Sequence, residues 1–335
     1  MESTEIPLEG ILRQHAIWLE SSHDGRQADV SGMTLNDLDL SGANLRRSVL
    51  TGTTLLDAIL IGADLSESKF DRTDLQRANL SGADLSASKV ANANFSGAWM
   101  NGANLSEIQA VASKFKNASL KGARMVEVSL QDVSFCHVMA REVSFHQSRF
   151  YDVDFSESDL GGAQFYHARL QHVRFTGASA QAANLGGSKL DHCDMTRANF
   201  RGAKFSRAEV IQCVFRQADL RDCDFREVRM RGGDFSRAQL AGARFGEAHL
   251  ITADFRGADL CGARDLTGAQ LSQAFTDDRT ILPNGKPGPY LRHSGAERPV
   301  RKAFTSGDES PARLRDDSER MPNPAAADSA EAQSS

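Results

Sequence analysis

Proline is nearly absent where it would do most harm. Seven of the eight prolines lie at position 283 or later and the eighth is Pro7. The long middle of the chain therefore keeps every backbone donor that a ladder needs. Cysteine is also sparse: five, scattered, with no CxxC pair. That excludes a disulfide framework or zinc ribbon and fits a reducing compartment. No apolar run approaches 18 residues, so no membrane span is expected. The opening MESTEIPLEG lacks a basic n-region and a long h-region, so no secretory signal is expected and a cytoplasmic location follows. A net charge of −5 is mild and gives no reason to expect direct nucleic-acid binding. No nucleophile elbow, P-loop or helix-opening GxGxxG occurs, so neither enzymatic activity nor a cofactor is expected.

What is present is a count of five. From Val30 to Leu260 every fifth residue is a centre, usually large and apolar, giving 47 centres in one register. Sixteen of the 18 phenylalanines sit at these centres. Two places before each centre stands a small residue, and the slot between them is usually polar. Five matches neither the helical nor the strand period, but a separation of two puts the small residue and the centre on one face of a strand. The two remaining residues, often Ser-Gly, Arg-Gly or Thr-Gly, suit a corner. Each unit thus reads as a three-residue strand and a corner, and self-similarity over this length means a solenoid.

The number of sides is legible too. Sorted by a period of 15, the central phenylalanines show no preference. Sorted by 20, eight fall in one class (95, 115, 135, 155, 175, 215, 235, 255) and five in the class half a turn away. Four units per turn is favoured, giving about twelve coils and a rod roughly 55 Å long.

Ala-Asn-Leu-Ser-Gly at 78–82 and Ala-Asp-Leu-Cys-Gly at 258–262 resemble the pentapeptide-repeat proteins. The resemblance covers residues 28–262, about 70% of the chain, and implies an all-β solenoid, a right-handed four-sided parallel β-helix. The lead-in, His15 to Leu19 followed by Gly25 to Asp29, is similar to one found in bacterial members. Open coil ends need covers. Residues 1–27 are read as an N-terminal cap, with Leu8, Ile11, Leu12, Ala16 and Leu19 at helical spacing. Residues 263–282 are read as a C-terminal cap, where Thr267 and Gln270 look like a capping box opening a short helix that includes Leu271 and Phe275. Residues 283–335, rich in Pro, Ser, Ala and charge, read as a disordered tail.

Candidate sites follow from the columns of period 20. In one, Lys69, Lys89, Arg149, Arg169, Lys189 and Arg229 make six of eleven outward slots basic. It is either solubility charge or a surface for a charged partner. Asp74, Asp154, Asp194, Asp234 and Asp254 are expected on the opposite face. Another column carries Ile59, Trp99 and Met139, with Ile61 beside it. It is either a contact site or ordinary apolar scatter. Cys193, Cys213 and Cys223 occupy inward slots and read as small hydrophobes. His172 and His192, one turn apart, read as solvated, and no metal site is expected. Ala178 and Ala180 leave one unit without a large side chain, which predicts a cavity or pinch.

These patterns favour a non-enzymatic rod that presents side-chain columns to a protein partner. The alternative implied by the resemblance is a DNA mimic that binds DNA gyrase. Its shape fits, but a charge near −1 over residues 28–262 is far from that of a phosphate polymer.

Overall fold

The computed structural model describes residues 8–300. It is a four-sided parallel β-helix between two caps. One wall carries ten three-residue strands at 20-residue intervals, β1 (Lys69–Asp71) to β10 (His249–Ile251), paired in sequence order as one parallel sheet. Two single-bridge rungs, Asp29↔Val49 and Val49↔Lys69, precede it. The other three walls are ladders of single parallel bridges. The twenty-residue turn read from the phenylalanines is the observed register, as in Phe70↔Val90 and Leu170↔Leu190.

The centres and the small residues fill the interior. Phe95, Phe115, Phe135, Phe155 and Phe175 form one stack with successive ring separations of 4.7, 4.7, 5.0 and 5.4 Å. Phe145 and Phe165 stack on another wall at 5.0 Å. Burying each such ring stabilises the rod by about 1.5–3 kcal/mol before entropy is counted. At every corner from residue 32 to 262 the second residue after the centre has φ between 49° and 75°. Gly fills only some of these left-handed positions; Asp, Glu, Arg, His and Ala fill many others.

One wall forms strands because its corners differ. At most corners of the other three, a hydrogen bond closes the turn, as in Ala58 N–H to the Leu55 carbonyl at 3.2 Å and Ala63 N–H to the Leu60 carbonyl at 3.1 Å. At most corners after β1–β10 the chain stays extended one residue longer, and that residue joins the ladder, as Asp71 pairs with Ala91.

Helix α1 (Leu8–Glu20) covers the N-terminal end. Its buried side chain is His15, whereas Ala16 is exposed. The cause is a hydrogen-bonding need: His15 Nδ1 accepts the Ala28 N–H at 3.0 Å, and Nε2 lies 3.4 Å from Ser48 Oγ. Trp18 stacks on the imidazole at 5.6 Å. Gly25 lies so close to α1 that a Cβ would run into the Trp18 backbone nitrogen and the Gln14 carbonyl.

At the other end the capping box at Thr267 and Gln270 opens α2 (Gly268–Ser272). Gln270 Nε2 donates to the Phe245 and Ala248 carbonyls at 2.9 and 2.8 Å, so the cap satisfies acceptors of the last coils. Phe275 is not part of this helix. It bridges Asp254 as a further rung and is 55% exposed. The expected disorder from residue 283 is corrected up to residue 300. Pro283 and Ala296 are buried, Tyr290 packs on the core, and Pro287 pairs antiparallel with Ile281 of the cap. Residues 301–335, the remainder of that expected tail, lie outside the described residues.

Ala180 is fully buried, and Phe200, its partner one rung on, stands edge-on to Phe175 at 5.8 Å.

Candidate interaction faces

Parallel strands stack at about 4.8 Å, so a period of 20 becomes a straight column of side chains. The six basic residues fall on the strand wall, each as the first residue of its strand: Lys69 (β1), Lys89 (β2), Arg149 (β5), Arg169 (β6), Lys189 (β7) and Arg229 (β9). All six are exposed. Lys189 pairs with Glu209 at 3.0 Å. Among the described residues no carboxylate lies within ion-pair distance of the other five. Stacked like charges without partners repel one another, and this wall keeps them. Its twenty outward strand residues hold seven Lys or Arg against three Asp or Glu, in a chain whose net charge is −5.

The aspartate column is not opposite. Asp74, Asp154, Asp194, Asp234 and Asp254 line the adjoining wall, in their own bridge ladder. Five residues advance the chain by one wall of four, a quarter turn. Several of these carboxylates are neutralised where they stand: Asp154 by Arg174 at 3.0 Å, Asp234 by Arg216, and Asp254 by Arg256 at 2.5 Å. Hydrogen bonds from Ser156 and Arg174 hold the Asp154 carboxyl below its ordinary range, against the opposing effect of burial.

The wall facing the strand wall carries the apolar column. Ile59, Asn79, Trp99, Ser119 and Met139 are successive rungs. Ile59, Ile61, Trp99 and Met139 are all exposed, Trp99 at 60% and Met139 at 55%. The structure places these four on one face, with the apolar members of the ladder two rungs apart.

A further column escaped the sequence reading, which followed only the slot before each centre. The third strand residues also point outward. They include Val111 (β3), Tyr151 (β5), Ile211 (β8) and Ile251 (β10), of which Val111, Tyr151 and Ile251 are exposed at 44–47%. Sorting the slot after the centre by the same period of 20 would have found it.

The remaining groups offer no assembled chemistry. Cys193, Cys213 and Cys223 are buried, and burial pushes the Cys193 and Cys223 thiols upward. Cys136 and Cys261 are half-buried. His172 and His192 lie 5.4 Å apart, with His192 Nδ1 2.7 Å from Asp191 Oδ1. Among the described residues no group of three or more His, Cys, Asp or Glu is placed to hold a metal. No described helix is long and apolar enough to cross a membrane.

Comparison with known proteins agrees with the architecture. The family description "Pentapeptide repeats (8 copies)" matches residues 26–60, 53–86, 89–130, 198–237 and 238–275. "Pentapeptide repeat region" matches 128–205. No curated relative matches the chain. Among solved structures, HetL of Nostoc sp. strain PCC 7120, involved in heterocyst differentiation regulation, is 21% identical over 73% of this chain and 95% of its own, with a TM-score of 0.26. QnrB1, a plasmid-mediated fluoroquinolone resistance protein, is 19% identical over 51% and 92%, with a TM-score of 0.24. A pentapeptide repeat protein of the Arabidopsis thaliana thylakoid lumen is 22% identical over 40% and 79%, with a TM-score of 0.25.

Proposed function

The chain belongs to the pentapeptide-repeat family, and from that premise we propose that it is a non-enzymatic scaffold whose walls engage a protein partner. The observation that carries this reading is the strand wall. Five unpaired cations stand there in register near four apolar side chains, and the wall's bias of seven basic to three acidic residues is more one-sided than solubility alone calls for. A stiff, regular rod suits such a role because its columns keep their spacing without a partner to order them. The Trp99 face, with Ile59, Ile61 and Met139, is the second contact surface of this reading.

Gyrase binding by DNA mimicry fits less well. A duplex mimic needs a dense row of free anions, and the aspartates of this rod have arginine neighbours at Asp154, Asp234 and Asp254. In a supercoiling assay with micromolar protein, gyrase activity is expected to stay unchanged. The interaction reading is tested by affinity capture with the full chain from lysate of the source organism, followed by reconstitution with the purified partner. Failure to recover any specific partner across salt and temperature would overturn it.

A further inference from the structure

Two columns run side by side on the strand wall. The first strand residues supply cations, at their densest in Arg149, Arg169 and Lys189 on consecutive strands. The third strand residues supply Val111, Tyr151, Ile211 and Ile251. Residues two apart in a strand share a face and lie roughly 6.6 Å apart. The wall is therefore a strip whose first column is largely basic and whose third column intersperses these four apolar side chains with Asp71, Gln131, Gln171, Asp191 and Arg231. From β1 to β10 it runs nine rung spacings, about 43 Å.

Resting on the interaction reading above, we propose that this strip docks an acidic amphipathic helix of a partner protein, laid lengthwise along the rod. Three features select that occupant. A helix is about 10 Å across, which matches a strip two columns wide. Val111 and Tyr151 are two rungs apart, as are Ile211 and Ile251, about 10 Å in each case. In a helix, i and i+7 are about 10.5 Å apart on one face, so one apolar stripe matches the spacing within each pair, the pairs being three rungs apart. The surplus of seven basic over three acidic side chains calls for carboxylates on the adjoining helix face. A nucleic acid would satisfy the cations but leave Val111, Ile211 and Ile251 against a hydrated polyanion, whereas an acidic amphipathic helix answers both columns. Some 28 residues would span the wall.

The test uses the full chain and a fluorescein-labelled 28-residue synthetic peptide, with leucine on one heptad stripe and glutamate on the neighbouring positions. Anisotropy titrations at about 50 and 300 mM salt should show binding that weakens with salt. Arg149→Glu/Arg169→Glu should weaken it by about tenfold or more, and Arg149→Gln/Arg169→Gln by less. Gln239→Ala, exposed on the facing wall and outside both contact surfaces, should bind like the parent. A scrambled peptide of the same composition should bind more weakly. The proposal is overturned if the parent does not bind the peptide, if the charge reversals leave affinity unchanged, if the scramble binds equally, or if a 20-mer of oligo-dT binds as tightly. Melting curves of the variants establish that they fold. A negative peptide result beside a captured partner would sink this inference alone; failed capture beside peptide binding would sink only the broader reading.

Discussion

Replacing His15 by alanine removes the centre of the N-terminal cap. The imidazole is fully buried and its Nδ1 accepts the Ala28 N–H. The variant would leave that donor without its acceptor, at a cost of about 1–3 kcal/mol, and Trp18 would lose its stacking partner. A local loss of about 2–4 kcal/mol is expected. In a solenoid the first coils can open without the rest, so amides of residues 28–50 should exchange faster while the central coils stay protected. Hydrogen exchange read by mass spectrometry resolves the two regions. His15→Asn is the control, because its carboxamide oxygen can reach the place of Nδ1 and should recover much of the protection. The same group gives the cap a pH dependence. Burial lowers the His15 pKa, against a smaller upward pull from a hydrogen bond to the Arg46 backbone. The unfolded imidazole titrates near 6.5. Above that value both states are neutral and the cap is at full strength. As pH falls below about 6.5 the open state takes up a proton first, and cap protection declines toward the lower folded value. Unchanged exchange at 28–50 in His15→Ala, at any pH, would refute the account of this cap.

Other substitutions separate the forces in the rod. Gly25→Ala should loosen the same cap, since a methyl group there meets α1 backbone; limited proteolysis near residue 25 reports it. Gly62→Ala has open space around it but keeps φ at +63°, so denaturant titration should register only the left-handed penalty of about 1–2 kcal/mol. Phe135→Ala opens the middle of the five-ring stack and should cost about 3–5 kcal/mol by the same measurement. Trp99→Asp should stay within about 0.5 kcal/mol of the parent; a large loss would mean that its side chain supports the wall rather than facing solvent.

The four-sided section was legible because phenylalanine is bulky and stacks best on itself, so its positions betray the turn length. The outward direction of Trp99 and of Arg149 followed from their place between two inward residues. The strand wall was not legible. All four walls share one five-residue pattern, and what separates them is a turn hydrogen bond closed at Ala58 and Ala63 but missing at most corners after the strands. The order at 283–300 was hidden by dilution, since the buried Pro283 and Ala296 and the core-packed Tyr290 are few among polar neighbours. His15 was hidden because an apolar count does not see a hydrogen-bond requirement.

The strict twenty-residue turn has a consequence for how such a chain can change. Inserting or deleting twenty residues lengthens or shortens the rod by one rung, about 5 Å, and leaves every column in place. Inserting five rotates all that follows by a quarter turn. A five-residue insertion after Gln131 would split the cationic strip, carrying Arg149, Arg169 and Lys189 onto the next wall and away from Lys69 and Lys89. Length is thus a permissive variable in this architecture, while rotational phase is not. A gain of five residues would leave a sound core and divide a binding face in one step.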